Sequence, residues 1–310
     1  MSSLTTIAQR WRSCNVVCFD VDSTLSPDEG IDVLAAVAGK ADEVAALTAA
    51  AMGGDMPFEV ALAKRLAVIQ PTKEMLARCL REHPVRLTPG ARELIEALRA
   101  RGTVVFLVSG GFTHMVLPLA VQLGIPESNV IANRLLFAEG TDDDGEEKRS
   151  SESGPSAFLG VDASVPTCRS GGKAAAIRWI RETLRNRRAP GSESPRRPPG
   201  GSVEPPREGH HHSLTTTDED VHRGGRRAEA AADRDGDVRG KGQGGHPSEP
   251  VDLVAMVGDG VTDMEAQADF FVGFGGVVCR PKVRDGADWF VSSFAPLMDA
   301  LLMPPPSSDT

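Results

Sequence analysis

Apolar positions along this chain fall into two rhythms. Short unbroken runs of aliphatic and β-branched residues recur near 14–20, 103–108, 129–132, 252–257 and 270–273, and the stretches between them carry apolar residues at helical spacing. Unbroken short runs are the mark of strands buried on both faces, and their alternation with helices predicts an α/β fold with a doubly wound parallel sheet. One block breaks the alternation. Residues 27–84 are almost wholly helical in pattern. Ile31, Leu34 and Val37 form one face, Val60, Ala61, Lys64 and Leu66 lie in a second segment, and Glu74, Met75, Arg78 and Cys79 lie in a third, closed by His83-Pro84. A helical insertion directly after the first strand predicts a lid over whatever that strand end binds. Thr88-Pro89-Gly90 then opens a helix from Ala91 to Arg101.

Two segments are less regular. Arg134 to Phe137 and Ala157 to Val161 are expected to pair as a hairpin joined by the acidic loop Thr141 to Pro155, a solvated excursion. The segment 187–250 differs in kind: it is rich in Gly, Pro, Ser and Arg and holds no Phe, Trp, Ile or Met. Such a composition buries too little apolar surface to offset its ordering entropy, so the expectation is a disordered insertion. Its His210-His211-His212, His222 and His246 read as compositional bias before they read as a metal site. A helix of about 14 residues from Lys173 spans roughly 21 Å, which puts the exit of the insertion, and its return at Asp252, at the far end of the sheet.

The strand ends carry the chemistry. Val16-Val17-Cys18-Phe19-Asp20-Val21-Asp22-Ser23-Thr24 is an apolar strand ending on two carboxylates one residue apart. Like charges that close persist mainly where a cation or a proton holds them, and a hard cation such as Mg2+ takes one or two carboxylates plus water and substrate oxygens. The carboxyl edge of a parallel sheet is where open α/β folds bind ligands. A lone pair of this kind also reads as an acidic turn, but three further strand-end segments join it. Phe106 to Gly111 ends on Ser109, Gly110 and Gly111, a hydroxyl and backbone N–H groups suited to a phosphate. Lys173 falls in the first turn of the helix after Gly171-Gly172, against the helix dipole, which hints at a duty outside the helix. Val254 to Val257 leads into Gly258-Asp259-Gly260-Val261-Thr262-Asp263, again carboxylates after a strand.

Bulk properties narrow the partners. With 310 residues the chain can bury one sizeable core and a small second domain, and a net charge of −9 without a dense basic run argues against a nucleic-acid surface. An anionic ligand must then rely on local positive charge, from a metal, Lys173 and Arg65. No stretch has the apolar length to span a bilayer, and the first dozen residues lack a signal-peptide core. Met1 to Arg12, with Ser, Thr and Arg but no acids, weakly resembles the start of a plastid transit peptide, though a very short one. Five cysteines without a CxxC pair read as reduced thiols in a cytoplasmic protein. Cys14 and Cys18, four apart on a strand, would sit about 13 Å from each other and form no metal clip.

The segments Asp20 to Thr24, Ser109, Lys173 and Gly258 to Asp263 resemble the four motifs of the haloacid dehalogenase superfamily. Within it, Glu29 to Asp32, Ala51 to Gly54, Pro57-Phe58, Arg65 to Pro71, Ser109 to Phe112, Ala132 to Leu135 and Gly273 to Gly276 resemble the phosphoserine phosphatase family. The resemblance runs from about residue 13 to 183 and from 251 to 302. It implies a Rossmann-like parallel core over 13–26 and 85–302, a small helical cap over 27–84, and the insertion 187–250 within the core.

It also implies roles. Asp20 would be the nucleophile that forms an aspartyl-phosphate. Asp22 would be general acid and then base, and Ser109 and Lys173 would bind the phosphoryl oxygens. Mg2+ would be held by Asp20, Asp259 and the backbone carbonyl of Asp22. Asp263 would orient Lys173 or a water on the metal, or else cap the helix at Val261. Glu29 would meet the substrate ammonium and Arg65 its carboxylate. Met52, Gly53 and Phe58 would form the apolar wall, with Gly110, Gly111 and Thr262 beside the phosphate ester. The implied substrate is O-phosphoserine, the pathway serine biosynthesis, and a homodimer is compatible with the reading. Two rival readings stand beside it: a phosphatase for another small ester, which Glu29 and Arg65 oppose, and a non-catalytic phosphate-binding relative, which the intact acidic and basic set opposes.

Overall fold

The computed structural model describes residues 2–52, 56–138, 157–188 and 252–303. The acidic loop Thr141 to Pro155, the histidine tract and all of the expected insertion beyond Arg188 lie outside the described residues, as does Gly53.

Six strands make one parallel sheet: β1 (Val16–Phe19), β2 (Val104–Phe112), β3 (Val130–Asn133), β6 (Val254–Gly258), β7 (Phe270–Phe274) and β8 (Trp289–Val291), in the order β3-β2-β1-β6-β7-β8. Five of them are the expected strands. The first is shorter than expected, beginning at Val16, and the second runs on through Ser109, Gly110 and Gly111 to Phe112. The sixth, β8, was not expected: three residues at the sheet edge leave too short a pattern to read. β1 sits between β2 and β6 with Val16 facing both Val104 and Val254, so its carboxyl end is flanked by the carboxyl ends of both neighbours. Strand alternation divides the core. Val17, Phe19, Leu107 and Val257 pack on one face with α6 (Ala91–Ala100), α7 (Thr113–Gln122) and α11 (Ala295–Leu302). Val16, Cys18, Phe106 and Met256 pack on the other with Ile177, Ile180 and Leu184 of α8 (Gly172–Arg188).

The amino-terminal residues form a helix, α1 (Ser2–Ser13), that the polar pattern of that stretch did not predict. Trp11 is buried against α11, with its indole N–H donating to the Leu297 carbonyl at 3.1 Å. Arg10 pairs with Asp288 at 3.1 Å and lies over the Phe270 ring.

Between β1 and α6 stand four helices: α2 (Gly30–Val37), α3 (Ala41–Met52), α4 (Phe58–Ile69) and α5 (Lys73–Glu82). Ile31, Leu34, Val44, Leu62, Leu66, Leu76 and Cys79 make their shared apolar core, which rests on Phe112 and Leu135. The expected hairpin is present as β4 (Leu135–Phe137) and β5 (Phe158–Val161), antiparallel, with the Phe137 and Phe158 rings 6.0 Å apart beside that core. Among the described residues, no helix is long and apolar enough to cross a membrane. All five cysteines are free, and burial pushes the Cys14 and Cys18 thiols up to about 12.

Candidate active site

A tight loop, Val21–Leu25, follows β1 and is closed by the Ser26 N–H donating to the Val21 carbonyl at 2.8 Å. Asp20 ends the strand: its N–H donates to the Val257 carbonyl, and its carboxylate accepts from the Val21 N–H at 2.7 Å. Ser23 takes a left-handed backbone (φ +53°) and donates its hydroxyl to Glu29 at 2.7 Å. The loop therefore divides its two carboxylates. Asp20 faces Lys173, while Asp22 turns to the start of α2 and accepts from the Gly30 N–H at 2.9 Å.

Lys173 lies in the first turn of α8, where its ammonium bridges Asp20 at 2.7 Å and Asp263 at 2.5 Å. Burial works against that charge, but attraction to the two carboxylates outweighs it and the pKa rises. Asp263 makes two contacts. One oxygen meets Lys173, and the other accepts from the Gly260 N–H at 2.9 Å, capping the short helix α9 (Val261–Met264). Burial and repulsion from Asp20 push its carboxyl up, against the pull of Lys173. A Cβ at Gly258 would lie 2.2 Å from the Asp263 Cγ, so only glycine leaves room for that carboxylate.

Among the described residues no cation pairs with Asp22. Burial, then repulsion from Glu29 and Asp20, pushes its carboxyl up to about 8. A Cβ at Gly111 would crowd the site too, 2.5 Å from an Asp22 oxygen and 3.1 Å from the Ser109 hydroxyl. Ser109 is fully buried and its oxygen accepts from the Gly111 N–H at 2.8 Å, which leaves its proton to donate.

One cavity of about 820 Å³ is lined by Asp20, Asp22, Glu29, Phe58, Arg65, Gly110, Gly111, Lys173, Asp259 and Thr262. Arg65 is held along α4 by its Nε donating to the Ala61 carbonyl at 3.2 Å. Burial lowers its pKa, while Asp32 and Glu29 oppose the shift, so it remains a cation facing two acids. Phe58 stacks its ring edge onto Gly110, where a Cβ would stand 3.1 Å away. Met52 ends α3, and its side chain lies outside what is described.

The oxygens of Asp20, Asp259 and Asp263 lie within 4.8 Å of one another. This all-carboxylate set suits a hard divalent cation. Both oxygens of each are engaged: Asp20 by the Val21 N–H and Lys173, Asp259 by Thr24 and Arg280, and Asp263 by Lys173 and the Gly260 N–H, so a cation here would replace or share existing contacts. The Asp22 carboxylate accepts from the Gly30 N–H and is not one of this cluster.

Several residues at the site escaped the sequence reading. Thr24 donates to Asp259 at 3.0 Å, and Arg280 forms an ion pair with the same carboxylate. Asn133 donates to the Gly110 carbonyl at 2.8 Å and accepts from the Thr167 hydroxyl at 2.9 Å, bracing the loop that precedes Lys173. Ser170 donates to Glu59 of α4 through its N–H (3.0 Å) and its hydroxyl (2.9 Å), tying α4 to that loop. Thr24 and Asn133 stood inside segments that the resemblance covers, without a role assigned to either. Thr167, Ser170 and Arg280 lie outside the long helices and strands and have no periodicity to single them out.

Residues 17–155 match the family model of haloacid dehalogenase-like hydrolases. The phosphoserine phosphatase of Bos taurus is 36% identical over 291 residues, spanning 93% of this chain and 94% of its own. The chain belongs to the phosphoserine phosphatase family. A member from Arabidopsis thaliana, described as chloroplastic, is 36% identical over 95% of this chain and 74% of its own. Among solved structures, a phospho-aspartyl intermediate analogue of a phosphoserine phosphatase superposes with a TM-score of 0.57 at 21% identity, over 92% of this chain and 97% of that one. That likeness shows the family's fold.

Proposed function

We propose that this chain hydrolyses O-phosphoserine to serine and phosphate through an aspartyl-phosphate on Asp20. One observation carries the reading: a single cavity holds the Asp20–Lys173 pair together with Glu29 and Arg65. The first pair suits a phosphoryl group, and the second suits the ammonium and carboxylate of an amino acid. Membership of the family supports the same substrate.

In the first displacement a carboxylate oxygen of Asp20 attacks phosphorus, and the bond from phosphorus to the seryl oxygen breaks. Asp22, pushed up to about 8 and so protonated at neutral pH, gives its proton to that oxygen. In the second, Asp22 takes a proton from the attacking water, and the bond between phosphorus and the Asp20 oxygen breaks. Lys173, Ser109 and the backbone at Gly110 hold the remaining phosphoryl oxygens where charge is greatest. Phe58 and the apolar faces of α3 and α4 exclude bulk water. Asp20, Asp259 and the Asp22 carbonyl would hold Mg2+, which supplies charge neutralisation between the nucleophile and the incoming phosphate. The block 27–84 serves as the cap. A cytoplasmic location fits the five free thiols.

The test is phosphate release from phosphoserine, a phosphate ester lacking the amino-acid group, and sugar phosphates, each with Mg2+ and with chelator. Phosphoserine should turn over fastest, and only with Mg2+. Equal rates across the panel would remove Glu29 and Arg65 from substrate recognition.

A further inference from the structure

The contact between Asp259 and Arg280 serves none of the roles described so far. Arg280 precedes α10 (Pro281–Gly286) and lines the cavity with its side chain 28% exposed, whereas that of Asp259 is 4% exposed. Its Nη1 meets a carboxylate oxygen of Asp259 and also donates to the Asp259 carbonyl at 3.3 Å. A buried carboxylate needs a counter-charge. Thr24 supplies one neutral hydrogen bond, and Lys173 is committed to Asp20 and Asp263. Arg280 is thus the cation that balances Asp259. The same carboxylate belongs to the cluster suited to a divalent ion. A guanidinium and a dication drawn to one carboxylate repel each other, so the two compete for it.

We propose that Arg280 competes with the divalent cation for Asp259 and thereby sets the affinity of the metal site. The inference rests on the reading of Asp20 and Asp259 as the holders of that ion. Binding of the cation exchanges one counter-charge for another: the Arg280 ion pair opens, and the guanidinium swings into the cavity it already lines. The carboxylate stays ordered on either side of the exchange, because Thr24 holds its other oxygen. The metal site is then preorganised but weaker than its carboxylates alone would make it.

The experiment is calorimetric titration of chelator-stripped protein with MgCl2, for wild type, Arg280→Ala and Arg280→Lys, alongside melting in EDTA and in saturating Mg2+. Removing the competitor should tighten the Mg2+ Kd by about tenfold, the change expected for losing one partly exposed charge contact. Arg280→Ala should melt below wild type in EDTA, and the gap should narrow once Mg2+ saturates the site. Arg280→Lys keeps a charge but not the fork, folds even if the alanine variant does not, and should give a Kd between the two. Unchanged or weaker Mg2+ binding in the variants, with an equal loss of melting temperature under both conditions, would make Arg280 a brace for α10 and overturn the proposal. Wild-type protein that takes up no Mg2+ would instead overturn the metal reading itself, and the competition with it.

Discussion

Two halves of one cavity handle buried acid in opposite ways. At the sheet edge, Asp20, Asp259 and Asp263 stand close together, and each has a cation against it: Lys173 for two of them and Arg280 for the third. Under the helices, Asp22 and Glu29 repel each other, and their hydrogen bonds are to a backbone N–H and a hydroxyl. A carboxylate held against a cation is placed to attack or to hold a metal, whereas Asp22, pushed up to about 8 by burial and like charges, is placed to give a proton away. Asp20 and Asp22 are two residues apart in sequence and acquire different chemistry from the side of the loop each faces.

The comparison breaks most sharply at Asp20. Asp20→Asn keeps the shape but not the nucleophile, so phosphate release should fall by about ten-thousandfold or more, and labelled phosphoserine should no longer label the protein. Retention of a few per cent of activity would end the covalent mechanism.

Asp22→Asn should cost about a hundred- to ten-thousandfold in kcat, the range for one acid–base group. Its effect on stability should have the other sign. The folded carboxyl titrates near pH 8 and an unfolded one near 4, so the native state holds a proton that the unfolded state releases between them. Stability from this group is therefore full below about pH 4 and lost as pH rises to about 8. Asn cannot ionise, so in EDTA the variant should melt higher than wild type at pH 8 to 9 and show no advantage near pH 4. An advantage that is constant with pH would mean that Asp22 is not protonated in the native state.

Arg65 tests the helical half as a reader of the amino acid. Arg65→Ala should raise KM for phosphoserine by about ten- to a hundredfold, the cost of a charge-assisted contact, and should raise it much less for an ester without a carboxylate. Equal losses on both substrates would assign Arg65 to the fold of α4.

The smallest effect is expected far from both halves. β6 starts at Val254 opposite Val16, the end of β1 remote from Asp20, and α8 runs for 17 residues from Gly172 to Arg188. Replacing 190–248 with a short Gly/Ser linker should change kcat/KM by less than about twofold, since closure cost grows only slowly with loop length. A folded deletion variant without turnover would show that the segment acts on the site.

Much of this was legible in the residues alone. Runs such as Val254 to Val257 announce a strand because every position is apolar, and carboxylates directly after two such strands announce a charged sheet edge. These are local signals, carried by neighbours in sequence. Elements with weak periodicity were not legible: α1 is a polar-looking helix whose hold on the fold is Trp11, and β8 has three residues. The partners that define the site lie far apart along the chain, as Lys173 does from Asp263 and Asp20, and Asn133 from Thr167. Sequence by itself determined which side chains could carry phosphate chemistry and where the strands would set them. Only the tertiary structure decided which carboxylate receives a cation and which a proton, because desolvation and Coulomb attraction depend on distance through space.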